Sequence, residues 1–240
     1  MKNSQLQKQL KKHFSGQNLI TTKEIIEFLS SIHPGLTSNT ISWKLNQLKR
    51  ERLIFQTGRG LYSFEYKPDY TPDLSLKAKR LYNRIKTIYE GDVSIWDTQI
   101  LNNIAETNII RHWTFISVIR EDMESLFENM LNFSKQTFIQ PDKEITNRYL
   151  MAHNEAIIIT PLISETPLYK SGDYLTPTLE GLLVNTWLEY EAYLQPIGFD
   201  INTIFEQALK KYNVNQSKLL RYASRRDRRD IIKQLIKSKA

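Results

Sequence analysis

A predicted β-hairpin near the amino terminus constrains the fold more than any other feature of this sequence. Residues 53–56 (Leu-Ile-Phe-Gln) and 61–64 (Leu-Tyr-Ser-Phe) are short apolar and aromatic runs, which are typical of strands. They are joined by Thr57-Gly58-Arg59-Gly60, in which the two glycines allow the positive φ values of a tight turn. The sequence therefore predicts a hairpin that exposes Arg59 at its tip.

Three predicted amphipathic helices precede this hairpin. Apolar residues recur at helical spacing around Leu10, around Ile26 and around Leu45. Ser38 is a natural cap for the third helix. Three helices followed by a hairpin with a basic tip are the element order of a winged helix-turn-helix, in which the third helix enters the major groove of DNA. We therefore predict this fold for residues 1–65.

The outward face of the third helix is rich in side chains that suit nucleic acids. A rotation of about 100° per residue places Ile41, Leu45 and Leu48 in the core. The positions outside this stripe are Asn39, Thr40, Ser42, Trp43, Lys44, Asn46, Gln47 and Arg50. Because Asn, Gln and Arg can match the hydrogen-bonding groups of base edges, this face is the predicted reading surface.

We expect the contacts of this surface to fall into two classes. Base contacts are expected from Asn39, Trp43, Asn46 and Gln47. Phosphate contacts are expected from the capping region of Ser38 and from Lys23, Lys44 and Lys49. The alternative is that Trp43 packs sideways on the second helix and the amides form a neutral surface.

Positive charge is concentrated at both ends of the sequence. Residues 1–64 contain ten Lys or Arg against three Asp or Glu, and residues 211–240 contain ten against two. Residues 65–210 are acidic, with thirteen basic residues against twenty-one acidic ones. Cationic side chains that neutralise phosphates release condensed counterions, so this distribution favours a polyanionic partner. The alternative is that the charges only solvate helical faces.

A second domain is predicted after a proline-containing linker. Residues 66–75 include Pro68 and Pro72 and show no periodicity. From residue 76 strand-like and helical segments alternate, including a helix at 97–107 capped by Asp97 and a strand at 114–120. From Thr178 onward the pattern is helical, and its last two predicted helices are 216–223 and 226–237. We therefore predict a mixed α+β chain, with the winged helix-turn-helix at 1–65, a linker at 66–75 and an α/β domain with a helical, basic end at 76–240.

The predicted α/β domain carries no recognisable catalytic motif. It has no Gly-rich phosphate loop and no Asp-x-Asp or Asp-x-Glu pair on a predicted strand, and the chain has no cysteine. The four histidines are scattered, without the spacing of metal ligands. We therefore expect no enzyme activity, no cofactor and no metal.

Two other functions stay open at this stage. A metal-dependent nuclease of phage defence, brought to DNA by the first domain, would use Glu121 and Asp122 at a predicted strand end. Helix capping explains these two residues more simply. The other alternative is a protein-docking winged helix, which would show no salt-dependent affinity for DNA.

Five arginines occur within nine residues near the carboxyl end, at Arg221, Arg225, Arg226, Arg228 and Arg229. Arg221, Arg225 and Arg228 are spaced to share a helical face, which would suit a phosphate backbone or an acidic protein surface. The same cluster would also suit salt bridges to Asp227, Asp230 or the acidic middle of the chain. The sequence leaves both interpretations open.

Three segments share their pattern with a known family. They are Gly-Arg-Gly-Leu-Tyr (58–62), Tyr-Leu-Thr-Pro-Thr-Leu-Glu-Gly-Leu-Leu-Val (174–184) and Leu-Leu-Arg-Tyr-Ala-Ser-Arg-Arg (219–226). In this order, across nearly the whole chain, they resemble the AbiEi-type antitoxins and regulators of type IV toxin-antitoxin systems, which act in bacterial abortive infection. The commoner family pattern has Pro-Leu-Glu-Lys-x-Leu-Val-Asp where this sequence has Pro-Thr-Leu-Glu-Gly-Leu-Leu-Val-Asn (177–185).

The resemblance implies a cytoplasmic repressor that binds inverted repeats in double-stranded DNA upstream of its own operon. It also implies a second domain that counters a nucleotidyltransferase-like toxin, with no direct contact required. The sequence contains no apolar stretch of about 18 residues, and its amino terminus is rich in Lys and Gln without an apolar core. We therefore expect no membrane segment.

Overall fold

The protein is a mixed α+β structure that divides into two compact units. The computed structural model describes residues 3–17 and 19–239. The first unit comprises the described residues up to Asp69 together with Lys211–Ser217, and the second comprises Tyr70–Lys210 and Lys218–Lys239. No helix of the described chain combines the length and the apolar character needed to cross a bilayer.

The first unit contains three helices and a small antiparallel sheet. Its elements are α1 (Asn3–His13), β1 (Ile20–Thr21), α2 (Thr22–Ile32), α3 (Ser38–Arg50), β2 (Phe55–Gly58) and β3 (Leu61–Ser63). The sheet order is β1-β3-β2, with Tyr62 opposite both Ile20 and Gln56. The helices bury their apolar stripes, including Leu10, Leu29 and Leu48, in one core.

Local sequence explains where these helices begin and end. Gly16, with φ +85°, follows α1 in the left-handed conformation that glycine adopts without strain. The third helix is capped by Thr37, whose side-chain oxygen accepts a hydrogen bond from the backbone N–H of Thr40 at 3.2 Å. The prediction of Ser38 as the cap was therefore wrong by one residue. Ser38 is the exposed first residue of α3.

Residues 211–217 pack with the first unit although they are distant from it in sequence. The backbone N–H of Asn213 donates to the carbonyl of Pro68 at 2.9 Å, and its side-chain amide donates to Asp69 at 3.0 Å. The unit boundary between Asp69 and Tyr70 lies inside the predicted linker. The predicted domains were consecutive in sequence, so the sequence did not predict that residues 211–217 belong to the first unit.

A six-stranded mixed sheet forms the centre of the second unit. Its strands are β4 (Ser94–Asp97), β5 (His112–Val118), β6 (Thr137–Ile139), β7 (Glu155–Pro161), β8 (Leu168–Ser171) and β9 (Tyr174–Pro177). The strand order is β6-β7-β5-β4-β9-β8, in which β5, β6 and β7 run parallel. Strand β4 is antiparallel to β5 and parallel to β9, and β8 and β9 pair antiparallel. Residues 113–118 of β5 are all buried, as expected for a central strand.

The helices of the remaining chain are α4 (Leu76–Lys86), α5 (Thr98–Ala105), α6 (Met123–Leu131), α7 (Lys143–Arg148), α8 (Leu179–Glu189), α9 (Ile201–Lys211), α10 (Gln216–Arg225) and α11 (Arg229–Lys239). A π-helix over Tyr190–Leu194 continues α8. The sequence predicted that the last helix begins at Arg226, but Asp227 has φ +53° and α11 begins only at Arg229. A left-handed residue interrupts a helix, so Arg226–Arg228 form a connection between two helices.

Candidate nucleic-acid interface

The outward face of α3 is accessible in the first unit. On the inner side Ile41, Leu45 and Leu48 are buried, which fixes the rotation of the helix. On the opposite side the Trp43 residue is 57% exposed, so it does not pack sideways into α2. A helix normally buries an indole of this size, because its removal from water is favourable. Trp43 therefore leaves a large apolar ring in solvent on an otherwise polar face.

The remaining predicted residues of this face are also at the surface. Asn39, Ser42, Asn46 and Arg50 are exposed, and Thr40, Lys44 and Gln47 are partly exposed. The Nζ atom of Lys44 lies 6.0 Å from the centre of the Trp43 ring, at the outer limit of a cation-π contact. A shallow surface depression of about 440 Å³ is bordered by Trp43, Asn46, Gln47, Lys49 and Arg50.

The side-chain amides of this face are available for a partner. Among the described residues, no group hydrogen-bonds the side-chain amides of Asn39, Asn46 and Gln47. Thr40 differs, because its hydroxyl lies 2.9 Å from the hydroxyl of the capping Thr37. An amide with an oxygen and an NH₂ group can pair with adenine in a bidentate manner. The face thus presents unused donors and acceptors beside cations.

The hairpin between β2 and β3 holds Arg59 at an exposed tip. Gly60 has φ +70°, whereas Gly58 does not need a positive φ, so only one of the two glycines makes the turn conformation possible. The carbonyl of Gly60 accepts hydrogen bonds from the backbone N–H of Thr22 at 2.8 Å and from its hydroxyl at 3.2 Å. These bonds attach the turn to the first residue of α2.

The lysines predicted to contact phosphate differ in their surroundings. Lys23 lies in an exposed pair with Glu27 at 3.7 Å, and Lys49 donates to the side chain of Gln56 at 3.1 Å. The bond from Lys49 links α3 to the hairpin strand. Exposed pairs of this kind contribute little stability, so both ammonium groups can exchange their partner for a phosphate.

The arginines near the carboxyl end do not form one row. Arg225 makes two hydrogen bonds to Glu165, at 2.6 and 3.2 Å, and these bonds lower the pKa of Glu165 and raise that of Arg225. Arg226 is partly buried and donates to the hydroxyl of Tyr222 at 3.4 Å. The salt-bridge interpretation is therefore correct for Arg225. Arg226 contacts a tyrosine hydroxyl instead of a carboxylate.

The other three arginines of this cluster are exposed. They are Arg221 on α10, Arg228 in the connection and Arg229 at the start of α11. Because Arg228 lies outside a helix, the predicted helical row of Arg221, Arg225 and Arg228 was wrong. Arg228 donates to the backbone carbonyl of Asp227 at 3.0 Å. Within the described residues, none of the three pairs with a carboxylate at 4.0 Å or less.

The acidic residues considered for a nuclease lie immediately before α6. Glu121 and Asp122 lie in a short 3-10 helix, and Asp122 accepts a hydrogen bond from the hydroxyl of Tyr89 at 2.6 Å. Burial and this bond raise the pKa of Tyr89 to about 12. Asp122 occupies the N-cap position of α6, as the capping explanation requires, but its side chain makes no capping hydrogen bond. The described residues contain no group of three His, Asp or Glu arranged to hold a metal ion.

The second unit also contains a polar cluster that the sequence did not predict. Asp97 is fully buried, accepts a hydrogen bond from the Ser75 hydroxyl at 2.5 Å and lies 3.5 Å from Nε2 of His112. Asp97 was predicted only as the cap of α5, which it is, with the backbone N–H of Ile100 at 3.3 Å. In the sequence His112 stands two residues before the predicted strand at 114–120, and no pattern connects it with Asp97.

Taken together, these features define a two-unit mixed α+β protein with a basic, amide-rich helix at the surface of its first unit. The chain belongs to a family of unknown function (DUF6577), which matches residues 40–240. This match begins inside α3 and includes most of its exposed face, the hairpin and the whole second unit. No curated protein matches the chain.

Proposed function

We propose that the first unit is a winged helix-turn-helix that binds double-stranded DNA in a sequence-specific manner. The observation that carries this proposal is the exposed face of α3, on which Trp43 and three unbonded amides lie beside Lys44 and Arg50. The major groove of B-DNA is about 12 Å wide and admits a helix. In this proposal α3 enters the major groove, and Arg59 at the hairpin tip contacts the backbone or the adjacent minor groove.

Contacts to bases and to phosphates have separate roles in the proposed complex. Asn39, Asn46 and Gln47 pair with base edges, and Trp43 makes an apolar contact in the groove. Lys23, Lys44, Lys49 and the amino-terminal turn of α3 at Ser38 bind phosphates and set the register. The fold predicted from the element order supports this assignment, since three helices precede an antiparallel hairpin.

The biological role that we propose is transcriptional regulation without enzyme activity. By its resemblance to the AbiEi-type antitoxins, the protein acts in the cytoplasm as a repressor of its own operon and binds inverted repeats there. Its functional partner is a nucleotidyltransferase-like toxin, which it counters without a required contact. The exposed Arg221, Arg228 and Arg229 provide a second cationic surface, for DNA or for an acidic protein.

Replacement of the reading amides tests this proposal. The intact protein is titrated into a fluorescent duplex from the region upstream of its own gene and into a scrambled duplex of the same composition. We expect wild-type protein to prefer the first duplex, and the Asn46→Ala/Gln47→Ala variant to lose roughly 1–3 kcal/mol of this preference for each lost base contact. Affinity for the scrambled duplex should remain nearly unchanged.

The matched control removes two exposed helical amides from the second unit, in the variant Asn147→Ala/Gln234→Ala. This control should keep the full preference. A wild-type protein that binds both duplexes equally, or a reading-face variant with unaltered preference, would show that α3 does not read sequence.

A further inference from the structure

One face of α4 presents three cations to a pocket in the second unit. Lys77, Arg80 and Arg84 occupy positions i, i+3 and i+7 and therefore lie along the same side of the helix. With Leu81 they form one wall of a pocket of about 360 Å³. This volume lies in the range of small-molecule sites, which are about 300–1,000 Å³.

The opposite walls of the pocket come from two parallel strands and one connecting segment. His112 and Thr114 of β5 and Ala156 and Ile157 of β7 form its floor. Phe133, Ser134 and Gln136 close it on the side that follows α6. The lining therefore combines apolar surface with a few hydrogen-bonding groups, which is the composition of a ligand site.

The charge of the pocket is positive after internal pairing. Glu155 is the carboxylate of its lining, and it forms an ion pair with Lys77 that lowers the pKa of Glu155. Among the described residues, no carboxylate lies within ion-pair distance of Arg80 or Arg84. Two guanidinium groups one helical turn apart thus remain for an anion, and a guanidinium fork matches the geometry of a phosphate.

An aromatic ring holds one of these guanidinium groups in place. The guanidinium carbon of Arg84 lies 4.1 Å from the centre of the Phe133 ring. Stacking on a ring leaves the other face of the guanidinium plane available, and nucleic acid bases stack on such planes. The side chains of Ser134 and Gln136 lie in the same wall and can donate to or accept from a base edge.

The imidazole in the floor is fixed from behind. Nε2 of His112 lies 3.5 Å from the buried Asp97 carboxylate and 3.3 Å from the Ser75 hydroxyl, so the ring cannot rotate freely. The carboxyl group that orients it is fully buried and bonded to Ser75 and Ile100. A buried polar cluster of this kind pre-organises the pocket wall and reduces the ordering cost of binding.

We propose that this pocket binds a mononucleotide, with Arg80 on the phosphate and the Arg84–Phe133 stack against the base. Among anions, a nucleotide makes use of all three features at once, namely the guanidinium group of Arg80, the stacked plane of Arg84 and the side-chain amide of Gln136. This site is separate from the DNA surface of the first unit and does not depend on the function proposed for α3.

Calorimetric titration of the intact protein tests this site. The probes are AMP, GMP, CMP and UMP, with inorganic phosphate and adenosine as the two partial ligands. At least one nucleotide should bind at least tenfold more tightly than phosphate or adenosine. Arg80→Ala should weaken this binding at least tenfold, and Phe133→Leu should weaken the nucleotide but leave phosphate binding unchanged.

Control variants separate the pocket from general charge and from the DNA face. Arg148→Ala removes an exposed arginine of α7 and should leave nucleotide affinity unchanged, as should Arg59→Ala at the hairpin tip. Thermal unfolding of each variant checks that it folds. The proposal is overturned if no nucleotide binds, if phosphate binds as tightly as every nucleotide, or if the folded Arg80→Ala/Arg84→Ala variant retains wild-type affinity.

Discussion

Thr21 joins the sheet and the second helix through one side chain. Its hydroxyl accepts from the backbone N–H of Glu24 at 3.2 Å, and the Glu24 carboxylate accepts from the backbone N–H and the hydroxyl of Thr21, both at 2.7 Å. This reciprocal capping box satisfies donors that would otherwise lack a partner at the start of a helix. The same bonds from Thr21 hold the pKa of Glu24 below its ordinary value.

Thr21→Ala should lower the stability of the first unit by about 1 kcal/mol at neutral pH. The folded state lowers the pKa of Glu24. The ionised Glu24 therefore stabilises the folded state fully at pH values above the ordinary pKa of glutamate, and this stabilisation is lost as the pH falls through the lowered pKa. The difference between variant and wild type should therefore shrink at acidic pH in urea unfolding curves. Ser30→Ala, an exposed position in the same helix, is the control; a difference that is constant between neutral and acidic pH would contradict the role of Glu24.

Gly60 and Gly16 share a left-handed backbone but differ in the space around them. A methyl group on Gly60 would lie 3.1 Å from the Thr22 hydroxyl, whereas nothing lies within 4 Å of the same position on Gly16. Gly16→Ala should therefore lower the free energy of unfolding only by the backbone strain of the left-handed conformation, about 1 kcal/mol. Gly60→Ala should cost about 1 kcal/mol more, since Thr22 must give up its bond to the Gly60 carbonyl. Equal losses in thermal unfolding would show that the turn is not attached to α2 through Thr22.

At the scale of elements, a partly buried carboxyl group lies at the junction between α8 and its π-helical continuation. Burial raises the pKa of Glu189 to about 7, and Arg226 opposes this rise. Burial also raises the pKa of Tyr193 one turn further on. A carboxyl group whose pKa is raised by burial favours its neutral form, so the junction is most stable when Glu189 is protonated.

Glu189→Gln should stabilise the protein at alkaline but not at acidic pH. The folded state binds the proton of Glu189 more tightly than the unfolded chain, so stability declines as the pH rises from the ordinary glutamate range to about 7. The neutral amide removes this decline. We expect the variant to exceed wild type by about 1–3 kcal/mol at pH 8 and to match it at acidic pH. The control is Glu191→Gln, which changes an exposed neighbour and should not raise the free energy of unfolding at pH 8. An equal gain in both variants would contradict the prediction.

Elements with a strong hydrophobic period could be predicted from the sequence, whereas very short elements could not. The stripe of Ile41, Leu45 and Leu48 predicted α3 because burial of one face requires that spacing. Strand β1 has two residues and β6 has three, too few to establish an alternation. The break between the last two helices was predicted at residues 224–225 but lies at residues 226–228, because a left-handed residue other than glycine leaves little mark in a sequence.

At the scale of the whole molecule, the uneven distribution of charge predicts a salt-dependent interaction with DNA. Each phosphate neutralised by the protein contributes about −0.9 to the slope of log affinity against log salt concentration. Arg59→Ala should weaken binding to all duplexes alike and reduce the magnitude of this slope by about 1. Arg148→Ala, in the acidic part of the chain, should leave the slope unchanged. An affinity independent of salt would support the protein-docking alternative instead.

The sequence predicted the α3 face but not the pocket of the second unit. The α3 face is contiguous in sequence, so helical periodicity alone brings Asn46, Gln47 and Arg50 together. The pocket joins α4 with residues near 112, 134 and 156, and only the order of strands in the sheet makes them neighbours. The return of residues 211–217 to the first unit is long-range in the same way.

The attachment of the Gly60 carbonyl to Thr22 has a consequence for the DNA binding that we propose. Main-chain geometry and the hydroxyl of Thr22, which lies on another element, determine where the loop sits, and the side chain at position 59 takes no part in this. A substitution at an exposed position of that kind changes the free energy of unfolding by no more than about 0.5 kcal/mol. Related sequences can thus carry a guanidinium, an amide or a hydroxyl group at the hairpin tip while the backbone that positions it stays the same.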